Sequence, residues 1–271
     1  MKAVKALLLS GDREKIVFFA GVSRAREVYI LAANYLRTLP WQDDADLAKQ
    51  IATFYQKAKA IDHLVAFYES VARAEIDEFR DYDKGLAALE NAIAALEKAG
   101  GGGDAAANAK LASLRQRAAL VGRFVETRAR LKIAPDAQAS LAAARDLLAD
   151  ATAAARRDGD AATASVAVRP GDVYAMMIEH VYARGDANGA CDLLEEMSRE
   201  GVVVGPYVDD HVVAAATRDA GRTLSLLKGG GVRDSGLVQG VTLGIDGGVV
   251  DEEWSPPPPP EDFDDDDDDD A

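Results

Sequence analysis

Cysteine is nearly absent. Cys191 stands alone, so no disulfide can close within the chain, and a lone thiol fits a reducing compartment. There are three histidines, His63, His180 and His211. None has a second His or Cys three or four residues away, so the spacing of a zinc site is missing. The chain has no G-x-x-x-x-G-K-[ST] phosphate loop and no G-x-S-x-G nucleophile elbow. The glycines of 229–248 follow no strand, so a dinucleotide loop is not supported. No apolar run approaches the roughly 18 residues needed to cross a bilayer. The opening MKAVKALLLSGDREK has a leucine triplet, but charge returns at Asp12–Lys15, so it reads as a helix rather than a leader. Lys and Arg form no stripe, so the footprint of nucleic-acid binding is missing. No catalytic, cofactor or metal-binding residue is expected, and an enzyme with an unrecognised site is the weakest reading.

Aromatics are only 6% of the chain, against 48% hydrophobic residues overall. A core of small side chains suits closely packed helices better than a sheet. The net charge of −15 is a local matter. Asp251, Glu252, Glu253, Glu261, Asp262 and Asp264–Asp270 supply twelve of the 46 acids and are accompanied by no Lys or Arg. The other 250 residues hold 34 acids against 31 bases. Residues 221–250 carry nine of the 23 glycines, and Pro256–Pro260 precede the aspartate run. Such a segment buries too little apolar area to offset chain entropy, so 221–271 is expected to be a disordered acidic tail.

Up to about residue 218 the apolar residues recur at helical spacing. Ile61, Leu64, Val65, Tyr68, Val71, Ile76 and Phe79 make one such face, and Leu86, Leu89, Ile93 and Leu96 another. Helices are predicted at about 2–10, 12–20, 23–38, 43–58, 60–80, 82–99, 104–132, 137–157, 171–184, 186–200 and 206–219. Asp12, Ser23 and Asp136 sit where N-caps belong. Pro40 and Pro170 fall in breaks, and Gly100–Gly103 form a flexible joint.

One turn recurs. SGDREKIVFF (10–19), RDYDKGLAALENAI (80–93) and ARGDANGACDLLEEM (183–197) each place Asp12, Asp81 or Asp186 in a polar turn. A small or aliphatic residue, Ile16, Gly85 or Ala190, follows four positions on. KAIDHLVAFYESV (59–71) is a weaker relative. The pattern suits the turn between the two helices of a tetratricopeptide hairpin. The turns at 11, 59, 80 and 185 are not spaced by multiples of 34. The expected fold is therefore all-α: an irregular tetratricopeptide-like α-solenoid over 1–220, with a compact helical bundle as the alternative. Within it, SGDREKIVFFAGVSR reads as a hinge, with Ile16–Phe19 filling the groove and Ser23 capping the next helix.

Three longer phrases carry a resemblance: LLLSGDREKIVFFAGVSRAREVYILAANYL (7–36), IATFYQKAKAIDHLVAFYESVARAEIDEFRDYDKGLAALENA (51–92) and GDVYAMMIEHVYARGDANGACDLLEEM (171–197). In order and spacing they resemble the C-terminal helical region of the intraflagellar transport protein 140 family, the largest subunit of the intraflagellar transport A complex. The likeness spans roughly 5–220 and thins over 100–170. It implies a protein-interaction scaffold for retrograde ciliary transport and cilium assembly. It also implies other A-complex subunits as partners, with ciliary membrane cargo adaptors beside them, at the cilium or flagellum and basal body. Members of that family begin with β-propellers, so the chain is expected to be the end of a longer solenoid. A peptide-binding tetratricopeptide adaptor of another pathway is the alternative. It needs a groove of Lys, Arg and Asn, and Asn34, Asn91, Asn108 and Asn188 share no repeat position.

The remaining candidates are charges. Arg24 and Arg26 are placed to meet a partner's carboxylates or to stand as free surface charge. Asp264, Asp267 and Asp270 stand for an aspartate run that either grips a basic partner or only solubilises the chain. Glu75, Asp77, Glu78 and Asp81 cluster on a helix and read as a solvated face.

Overall fold

The computed structural model describes residues 11–100, 105–133, 137–158 and 167–226, all within one compact unit, Met1–Leu237. The predicted first helix, the Asp136 cap, most of the glycine joint and the expected tail from residue 227 on lie outside the described residues. The first residues of that tail, 221–226, are described: Arg222 pairs with Asp192 at 2.6 Å and Glu195 at 3.1 Å, and Leu224 and Leu226 pack against the core. Ten helices are described: α1 Arg13–Ser23, α2 Arg26–Leu36, α3 Ala45–Lys57, α4 Ile61–Asp77, α5 Tyr82–Lys98, α6 Ala105–Ile133, α7 Ala137–Asp158, α8 Pro170–Ala183, α9 Ala187–Arg199 and α10 Asp210–Ala220. Each packs on the next in the chain, and α6 also reaches α8. Consecutive packing of helix hairpins makes an all-α solenoid, as the sequence periodicity predicts.

The recurring aspartates do what their position suggests. Asp12, Asp81 and Asp186 accept hydrogen bonds from the backbone N–H groups of Lys15, Lys84 and Gly189 at 3.0, 3.0 and 2.8 Å. Each satisfies one of the orphan donors of its helix. In the weaker fourth turn Asp62 is not the cap; Ala60 holds that position with no side-chain bond.

Three predicted details are corrected. Ser23 does not cap the following helix. It is the last residue of α1, and its hydroxyl donates back to the Ala20 carbonyl at 3.3 Å. The turn is made instead by Arg24 in the left-handed region, φ 50°, while Ala25 opens α2. Ile16 is buried, but Phe18 is 73% exposed and does not fill a groove. Phe79 lies beyond the end of α4 and is exposed.

Two cores meet on α4. Leu64, Phe67 and Ala74 join Ile16, Leu36 and Ile51 in an N-terminal core. Val65, Ala72 and Ile76 join Leu89, Leu114, Leu147 and Met177 in a C-terminal one. Interlocking both sides of one helix requires a close α4–α5 crossing, and Gly85 provides it. A Cβ there would lie 2.6 Å from Ile76 Cγ1. Gly85→Ala is expected to destabilise by about 1 kcal/mol, since overpacking costs roughly 1–3 kcal/mol and helix propensity returns at most about 1. Urea denaturation checks this, and a higher midpoint would show that the crossing has room.

Candidate interaction site

The chain between α4 and α5 is short and tense. Arg80 adopts φ 54°, a left-handed conformation that is unfavourable for a residue with a Cβ. Its guanidinium holds three elements together. It lies 3.6 Å from Asp172 of α8, donates to the Pro206 carbonyl and sits 5.1 Å from the ring centre of Tyr207. Tyr207 in turn lies on Gly171, where a Cβ would come within 2.4 Å of its ring. Only glycine leaves room for that ring on the first turn of α8.

Behind this corner is a buried polar knot. Tyr82 opens α5, and its hydroxyl donates to Asp172 Oδ2 at 2.6 Å. Burial, then the Asp172 charge, push the Tyr82 pKa well up, so it stays a donor. Arg169, 2% exposed, places Nη2 2.7 Å from Asp77 Oδ1 at the end of α4. Its Nε and Nη1 are buried and meet no acceptor among the described residues. Burial works against the Arg169 charge. The Asp77 hydrogen bond and the Asp77 and Asp172 charges outweigh it and hold the pKa above the usual arginine range.

Sequence reasoning missed this knot. Asp77 does not lie on a solvated face, since it is the counter-charge of Arg169. Asp81 is a cap, and Glu75 lies 3.9 Å from Lys84. The available signal was Arg169 itself, a charge set inside the apolar stretch VAVRPGDVYAMM (166–177).

A cleft of about 500 Å³ opens beside the knot, between α5, α6, α8 and the segment at Tyr207. Tyr82, Phe124 and Tyr207 supply aromatic walls, and Arg128, Lys132 and Arg184 stand among its lining residues. Arg128 is bound to Asp83 at 2.5 Å and lies 5.6 Å from the Phe124 ring centre. His180 also lines the cleft. It bonds the Leu131 backbone, and its Nε2 is enclosed with no partner among the described residues. Burial, with the Arg184 charge, lowers the His180 pKa from 6.5 against the opposing Leu131 bond. A lowered folded pKa means that the unfolded chain binds the proton first. His180 is therefore neutral at no penalty above 6.5 and costs stability as the pH falls through and below that value. The melting temperature is expected to drop between pH 7.5 and 5.5, and His180→Gln should flatten the slope. An unchanged slope in the variant would refute the assignment.

The remaining candidates stand apart from the cleft. Arg24 and Arg26 are both exposed at the α1–α2 junction and make no ion pair among the described residues. Asp264, Asp267 and Asp270 lie outside the described residues. Cys191 is fully buried, and burial raises its pKa, which suits a small core residue. Asn34 accepts from the Tyr55 hydroxyl at 2.7 Å and is used in packing. No group of three or more His, Cys, Asp or Glu among the described residues could hold a metal ion. No described helix is long and apolar enough to cross a membrane.

Capped hairpins in consecutive contact, with charges used to fasten helix corners, define a tetratricopeptide-type helical-repeat protein. Domains of this class are generally modules for protein interaction rather than catalysts. The family model for the C-terminal tetratricopeptide domain of intraflagellar transport protein 140 matches residues 62–198, just over half the chain. A second model, for the tetratricopeptide domain of intraflagellar transport proteins 140 and 172, matches residues 1–54. The chain belongs to the first of these, the family of intraflagellar transport protein 140 C-terminal tetratricopeptide domains.

Proposed function

We propose that the chain is the C-terminal interaction scaffold of an intraflagellar transport A subunit, acting in retrograde ciliary transport and cilium assembly. The observation that carries this reading is the pair of family matches, which together cover most of the described solenoid. The partners are other A-complex subunits, joined by adaptors for ciliary membrane cargo, and the sites of action are the cilium or flagellum and the basal body. The solenoid of 1–220 supplies the docking faces and 221–271 is an appended acidic tail. Arg24 and Arg26 meet carboxylates of a neighbouring subunit, because they are exposed cations with no ion-pair partner among the described residues. Asp264, Asp267 and Asp270 meet a basic surface.

The test is affinity purification of the tagged chain from ciliated cells with mass spectrometry. Recovery of other A-complex subunits is expected. It should weaken in Arg24→Glu/Arg26→Glu and, at low salt, on deletion of 251–271. A soluble helical bait that recovers none of these subunits overturns the assignment. Undiminished recovery in either variant removes that contact from it.

A further inference from the structure

Concavities on the described residues differ in how their charges are used. The cleft beside the polar knot is lined by Asp172 and Glu179 as well as by Lys132 and Arg184, and its Arg80 and Arg128 are bound to Asp172 and Asp83. In a second, between α6 and α7, Arg117 is bound to Glu69 and Arg123 to Asp150. A third, of about 710 Å³, lies where the α3–α4 corner meets the last half of α5. No Asp or Glu lines it. Two lysines do, Lys59 in the corner and Lys98 at the end of α5, and neither ammonium has an ion pair or hydrogen bond among the described residues. Both are exposed.

The groove is shaped by one face of α5. Asn91, Ala94, Ala95 and Lys98 follow each other at i, i+3, i+4 and i+7, so they stand in one row. The two alanines keep the middle of the row low, and the amide and ammonium mark its ends. Opposite them, α4 presents Ile61, Leu64 and Tyr68. An apolar middle flanked by unpaired cations has a definite complement, an aliphatic side chain flanked by carboxylates.

We infer that this groove binds a linear segment of a partner protein in which aspartate or glutamate side chains flank an aliphatic anchor. The anchor lies over Ala94 and Ala95 against Ile61 and Tyr68, and the carboxylates meet Lys59 and Lys98. Asn91 supplies a donor and an acceptor for the segment's backbone. Contacts of this kind are charge-assisted at the rim, so affinity falls as salt rises. The inference rests on the scaffold reading only in that the occupant is a protein.

The experiment is selection of a displayed library of random twelve-residue peptides on the full chain, followed by titration of the enriched peptides. The expected peptides are acidic with a central aliphatic residue. They should lose more than tenfold in affinity for Lys59→Glu/Lys98→Glu and for Ala94→Phe, which plugs the groove from an exposed position. Lys132→Glu, in the other cleft, should bind them as the parent does. No enrichment, enrichment of peptides without acids, or equal binding by all variants overturns the proposal. So does a charge-reversed chain that loses binding to anionic phosphatidylserine vesicles while peptide affinity is unchanged, because the occupant is then a membrane. Recovery of A-complex subunits by Lys59→Glu/Lys98→Glu reports on the scaffold reading separately, so failure of one is distinguishable from failure of the other.

Discussion

Asp77→Asn is expected to destabilise the C-terminal half of the solenoid by about 3 kcal/mol, the lower end of what removing one partner of a buried ion pair costs. The substitution keeps the shape and an oxygen acceptor, so packing is nearly conserved. What changes is the balance of charge around Arg169. Its guanidinium is 2% exposed, two of its nitrogens already lack acceptors among the described residues, and Asp77 Oδ1 at 2.7 Å is its direct anionic contact. Asp172 contributes charge but holds the Tyr82 hydroxyl and Arg80. Arg169→Met should cost less, because it removes the buried charge together with its unsatisfied donors. It leaves Asp77, whose side chain is 19% exposed, able to draw on water. The double variant is then more stable than Asp77→Asn alone, and the cycle shows a coupling of about 1–3 kcal/mol. Calorimetry or urea titration of the four proteins decides the matter. A small effect of Asp77→Asn with additive double-variant behaviour would mean that the pair does not fasten α8 to the end of α4.

The difference between what was readable in the sequence and what was not follows the range of each interaction. Asp12, Asp81 and Asp186 act on an N–H three residues away, so their role is written in a few consecutive letters. The helical faces of α4 and α5 are legible for the same reason, and Gly85 stands out as the small residue a hairpin crossing needs. The polar knot is different. Asp77 and Arg169 are 92 residues apart, and nothing near Asp77 announces a buried guanidinium. Helix ends were misjudged where two local solutions compete. Ser23 is a good N-cap, but the turn was closed one residue later by a left-handed Arg24. The groove of Lys59 and Lys98 was half legible. Its α5 face is periodic, while its other cation comes from the α3–α4 corner, and only the hairpin brings them to one place. Phe18 illustrates a further limit, because periodicity says which residues share a face and not whether a neighbour covers it.

Phe67→Ala is expected to cost about 3–5 kcal/mol, the usual range for truncating a buried aromatic, and to spend that loss on one end of the molecule. Phe67 is 1% exposed on α4. Its ring meets Trp41 edge-on at 5.2 Å between centroids, and Tyr55 lies 6.4 Å away. These contacts face the N-terminal core, while Val65, Ala72 and Ile76 on the same helix face the C-terminal one. A chain of helices that touch mainly their neighbours has a stability close to a sum of local interfaces. Truncation at Phe67 should therefore release α1–α3 and leave α5–α9 folded. Hydrogen exchange reads this directly, as amides of Arg26–Leu36 and Ala45–Lys57 lose protection while those of Tyr82–Lys98 and Ala187–Arg199 keep it. Leu89→Ala, at a fully buried position of the other core, should give the converse pattern at a cost of about 2–5 kcal/mol. If both variants instead lose protection uniformly, α4 transmits unfolding between the two cores and the solenoid behaves as one cooperative block. In that case a partner bound at Arg24 and Arg26 would stabilise the groove at Lys59 and Lys98, and the two surfaces would be thermodynamically linked rather than independent.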